Sequence, residues 1–140
     1  MKLRGREKRA LWAVLGAAYA TGAALFVVGR WVRVMSAIGP QHHPAEFWVR
    51  VLHFTGGYAA VLALGYLIPR HIRPGLRGEK RKTSGVSLLS LASVLGVTAI
   101  AILYSGDGPV GAWSAQVHDY LGLAAPILFL FHSRKTRRIK

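Results

Sequence analysis

The sequence predicts an all-α integral membrane protein: a four-helix up-down-up-down bundle in a single domain, with both termini on the cytoplasmic side. Three observations predict it. Of the 140 residues, 52% are hydrophobic, high for a water-soluble domain and ordinary for a membrane one. Four apolar stretches recur, each close to the roughly 20 residues that a helix needs to cross the hydrocarbon core. The net charge of +14 is gathered at the ends and the middle of the chain rather than spread along it.

The first span is expected over about residues 9–34, because Ala10 to Gly29 is uncharged. Lys2, Arg4, Arg6, Lys8 and Arg9 precede it. A basic start with small residues also suits a signal peptide, but this apolar run is longer than an ordinary h-region, so a retained helix is expected. "SAIGPQHHPAE" then reads as an irregular outer loop, on the Gly and Pro it contains. The second span, about 46–71, has only His53 between Val51 and Ile68 as an ionisable group besides tyrosine. Pro69 marks its end or a kink, since proline removes a backbone donor and crowds the preceding turn. "RPGLRGEKRKT" is the inner loop. The third span, about 84–104, is uncharged and spaces Ser84, Ser87, Ser90 and Ser93 three apart, a pattern that lets backbones pack closely in lipid. After "SGDGPVG", the fourth span covers about 112–132. Short connections make successive helices antiparallel neighbours.

Charge orients the bundle. Arg70, Arg73, Arg77, Lys80, Arg81 and Lys82 lie between spans two and three; Arg134, Lys135, Arg137, Arg138 and Lys140 follow span four. Only Arg30, Arg33 and Arg50 fall on the other side. By the positive-inside rule both termini and the middle loop are cytoplasmic, which places the chain in the cell inner (plasma) membrane. Anionic lipid meets the basic segments, so the charge implies no nucleic acid. With no cysteine, disulfides, thiolate metal sites, iron–sulfur ligation and covalent haem attachment are excluded.

Two segments repeat. "WVRVLHFTGG", from Trp48, and "WSAQVHDYLG", from Trp113, align Trp48 with Trp113, His53 with His118 and Gly57 with Gly122. The tryptophans belong at the membrane interface. Each histidine follows by five residues, roughly 7–8 Å deeper on the helix rise. An ionisable group at that depth turns inward to a partner. Zinc needs more ligands than two imidazoles, whereas haem fills four iron positions itself and takes one axial ligand from each side. Gly57 and Gly122, a turn further along the same face, leave room for a macrocycle. A second pair, His71 and His132, falls on the faces of His53 and His118 at the cytoplasmic end, ~27 and ~21 Å further along ideal helices. Arg50, one turn before His53, is placed to meet a haem propionate. His42 and His43 are expected to be solvated in the outer loop.

On "RVLHFTGG" and "QVHDYLGLAAPILFLFH" the chain resembles the bacterial membrane b-type cytochromes: the cytochrome b subunits of hydrogenases, formate dehydrogenases and thiosulfate reductases, and the cytochrome b561-like proteins. His118 to His132 is similar to their fourth-helix His-x13-His. The resemblance implies bis-histidine haem b, one or two per chain, held by His53 with His118 and by His71 with His132. It also implies electron transfer between a quinone pool and a partner redox protein, as a subunit of an oxidoreductase. The second span departs from the pattern, since the position 14 beyond His53 is Leu67. The alternative reading is a haem-free small transporter or assembly subunit that uses the buried histidines to move protons or metal ions.

Overall fold

A computed structural model describes residues 4–77 and 82–134. Of the basic clusters above, Lys2, Lys80, Arg81, Lys135, Arg137, Arg138 and Lys140 lie outside the described residues. The chain divides into two compact units, Met1–His71 and Ile72–Lys140, where the sequence suggests one four-helix domain. Each unit is built on a pair of long antiparallel helices.

In the first unit α1 (Gly5–Trp31) and α2 (Ala45–Leu67) are joined by a short antiparallel hairpin, β1 (Arg33–Ser36) and β2 (Gly39–His42). The α1 helix starts where the Glu7 carboxylate accepts the Arg4 backbone N–H at 2.8 Å, the backward-reaching half of a capping box. It ends at Trp31 rather than Val34, because Val32 turns extended and Arg33 pairs with His42 across the hairpin. Residues 33–34, expected as helix, and 36–42, expected as an irregular loop, therefore belong to a β-hairpin. Gly39, with φ +103°, closes its two-residue turn in a conformation that L side chains resist.

The α1–α2 contact is close because its residues are small. A methyl at Gly56 would stand 3.2 Å from the Ala18 Cα, tighter than side chains normally tolerate, so the two backbones approach only over glycine. Beyond Leu67 the helix continues through a π turn, Ile68–Ile72, into α3 (Arg73–Arg77). Pro69 explains the turn: it has no N–H for the α ladder, and the Ile68 N–H is shared between the Gly65 and Leu64 carbonyls.

In the second unit α4 (Lys82–Ser105) packs antiparallel to α5 (Pro109–Ser133). Gly106, at φ +53°, makes the turn, and Pro109 opens α5, where a missing N–H removes nothing. Among the described residues, α1, α2 with its continuation to Arg77, and α4 are long and apolar enough to cross a membrane. α5 matches them in length but carries Gln116, His118 and Asp119 in its outer half. The apolar surface stays outside: Leu67 is the one large hydrophobic side chain that is buried among the described residues, while Leu62, Val97, Ile127 and Phe131 are mostly exposed. An exposed apolar surface of that extent is stable against lipid or protein, not water.

Candidate functional site

His53 lies against α1. Its Nδ1 is 3.1 Å from the Ala18 carbonyl oxygen and 3.4 Å from the Thr21 hydroxyl. A carbonyl can only accept, so Nδ1 carries the ring hydrogen and the neutral ring's lone pair is on Nε2. The Thr21 hydroxyl spends its own hydrogen on the Ala17 and Ala18 carbonyls at 2.8 and 3.1 Å, which leaves its oxygen as an acceptor toward the ring. Gly22 makes room: a methyl there would be 2.9 Å from the His53 Cε1.

His118 lies against α4 in the same way. Its Nδ1 is 3.1 Å from the Leu95 carbonyl oxygen and 3.0 Å from the Thr98 hydroxyl. Thr98 donates to the Val94 and Leu95 carbonyls at 2.8 and 3.1 Å. The carbonyl and the threonine stand three residues apart in both helices, so one helix turn presents both to the ring. The resemblance between the second and fourth spans thus extends to the helices that precede them, Ala18-x-x-Thr21 answering Leu95-x-x-Thr98. Both histidines are half-buried, and Trp48 and Trp113 are equally exposed at 66%.

The inner histidines differ from each other. His132 Nδ1 is 2.9 Å from the Ser84 hydroxyl, and Gly85 lies beside its ring, a methyl there meeting Cε1 at 3.6 Å. His71 belongs to the π turn. A π turn winds more widely than an α turn, so His71, inside it, departs from the course of an uninterrupted α-helix. The return of His71 to the face of His53, expected for an ideal α-helix, does not hold.

At the β-hairpin end of the first unit, Arg50 has a partner that its expected role as a propionate contact did not include. Its guanidinium donates to Glu46 Oε1 at 2.5 Å, and His42 Nδ1 meets Glu46 Oε2 at 2.5 Å. Glu46 is 5% exposed. Arg33 also reaches His42 Nδ1, at 2.6 Å, and donates to the Gly29 carbonyl at 2.8 Å. One ring nitrogen cannot both donate to Glu46 and accept from Arg33; the charge-assisted bond to the carboxylate is the stronger of the two. Pro44, Phe47 and His43 complete a shallow cleft of about 370 Å³ around Glu46 and Arg50. His42 stays mostly exposed, as expected of a solvated loop residue, while its ring also meets Glu46.

Gly57 has no other group within 4 Å of where a Cβ would stand, and at Gly122 only Leu95 Cδ2 comes to 4.0 Å. Sequence alone did not single out Gly22, Gly56, Thr21, Thr98, Ser84 or Glu46 as site residues. The two threonines gave no signal, because a hydroxyl within a helix ordinarily bonds its own backbone. Comparison with family models, with curated proteins and with solved structures returns no match.

Proposed function

We propose that the chain is a membrane b-type cytochrome in which His53 and His118, one from each helical hairpin, are the axial ligands of one haem b. The observation that carries this is the shared hydrogen-bond arrangement: in both hairpins a backbone carbonyl takes the Nδ1 hydrogen. That fixes the tautomer with the lone pair on Nε2, the nitrogen a haem iron takes, and such an outer partner is what orients a metal-ligating histidine. The donor set suits haem in number too. A porphyrin asks for two imidazoles, and each hairpin offers one that is held by its own helix pair. Gly57 and Gly122, a turn from each histidine, carry no side chain that would obstruct a flat apolar macrocycle.

When bound, the haem supplies reversible one-electron transfer between ferric and ferrous iron. The chain's own residues orient the two imidazoles, surround them with apolar helix and hold charge at the outer rim, where Arg50 keeps further N–H donors besides the one given to Glu46. A second haem, held by His71 with His132, is implied by the resemblance alone, since the π turn takes His71 off the face of His53; the haem count separates one site from two. The apolar exterior and the basic segments support insertion in the cell inner membrane with four passes and cytoplasmic termini. The electron partners, a quinone and a partner redox protein, follow from the resemblance to membrane cytochromes b.

The test is a pyridine haemochrome assay on the detergent-purified chain from haem-replete cells. Haem b at one or two per chain, with the sharp α and β bands of a six-coordinate ferrous form, is the expected result. A colourless preparation overturns the reading and favours the haem-free transporter.

A further inference from the structure

Both ligand imidazoles have a second acceptor at Nδ1 that neither the tautomer nor the tethering to the helix requires. The Leu95 carbonyl alone would orient His118, yet the Thr98 oxygen stands 3.0 Å from the same nitrogen. Its single hydrogen goes to the Val94 and Leu95 carbonyls, so a lone pair faces the ring. Thr21 repeats the arrangement at His53, but at 3.4 Å, near the limit of a hydrogen bond. Thr98 is also the more buried of the two, at 5% exposure. We propose that Thr98 and Thr21 are positioning residues that set the electron donation of the two haem ligands, Thr98 more strongly, so that His118 is the more basic ligand. The inference rests on the haem reading above.

The chemistry gives it a sign. An acceptor on Nδ1–H draws the hydrogen away and raises the basicity of Nε2. A more basic axial ligand stabilises ferric over ferrous iron and lowers the midpoint potential. Thr→Val keeps the β-branched shape and its rotamer preference in a helix while removing the acceptor; Thr→Ser keeps the acceptor.

Two measurements on the full chain test this. In a redox titration, Thr98→Val should raise the midpoint potential, Thr21→Val should raise it less, and Thr98→Ser should return it toward the wild-type value. Thr98→Val with a six-coordinate spectrum and an unchanged potential overturns the proposal. The second measurement needs no haem: in ¹⁵N-histidine-labelled apoprotein in micelles, Thr98→Val should move the His118 Nδ1–H proton upfield, by more than Thr21→Val moves that of His53. Equal or absent movements overturn the proposal by themselves. If the wild-type chain takes up no haem, the cytochrome reading falls, and the apoprotein resonances then judge the hydrogen bonds alone.

Discussion

In the α1–α2 hairpin the histidine leans on glycine, and its threonine stands at the edge of hydrogen-bonding reach. In α4–α5 the threonine is close and buried. The middle of each hairpin is nonetheless the same: a carbonyl and a hydroxyl three residues apart grip Nδ1 of a half-buried histidine, five residues beyond an exposed tryptophan. The ends are unlike. The first hairpin carries a charged cluster at one end, Arg33 and His42 of the β-hairpin with Glu46 and Arg50 of α2, and at the other a bond from the Tyr66 hydroxyl to Glu7 at 2.8 Å. The second has a tight glycine turn outside and the Ser84–His132 contact inside. Features common to both hairpins are those the proposed ligand role would require, and the differing ends belong to each hairpin's own surroundings.

The largest effect expected from breaking this comparison is at the glycines of the first hairpin. Gly22→Ala puts a methyl 2.9 Å from His53 Cε1, so the ring must move; overpacking of this kind costs about 1–3 kcal/mol. Haem retention should fall sharply. Gly85→Ala beside His132, at 3.6 Å, should leave haem content and melting temperature close to wild type. Haem-to-protein ratios of the two variants check the contrast, and equal behaviour would mean that His53 is not held at Gly22.

Much of this was legible in the chain. Apolar runs bounded by arginine and proline gave the helices, because a helix that exposes apolar residues on all sides needs no amphipathic pattern. Matched Trp, His and Gly positions gave the two central histidines. The β-hairpin was not legible: "RVMSAIGPQH" has neither strict alternation nor an Asn-Gly turn, and its pairing is set by the Arg33 and His42 contacts. Nor was Thr21 with Thr98, since a threonine within a span ordinarily bonds its own helix, as both of these also do. Pro69 announced a break, but the π turn that re-aims His71 depends on how the backbone absorbs the missing donor.

Smaller effects sharpen the difference between the ends. Glu46→Gln weakens the bonds to Arg50 and His42 and should lower stability by roughly 1 kcal/mol, since Arg50 is half-exposed and screened. Thermal unfolding followed by circular dichroism reads it, and the haem spectrum should not change. A spectral change would bring the outer cluster into the ligand site. Tyr66→Phe removes an exposed bond to Glu7 and should leave both melting temperature and spectrum within error. A clear drop in melting temperature would make the inner end of the first hairpin a structural anchor.

The equivalence of the two hairpins is tested most directly by electron paramagnetic resonance of the oxidised protein, with His53→Ala and His118→Ala beside wild type. Wild type should show a low-spin bis-imidazole ferric signal from this haem, and both variants should lose that same signal. A signal that survives one substitution and disappears with the other would contradict it, because the two imidazoles would then not share an iron.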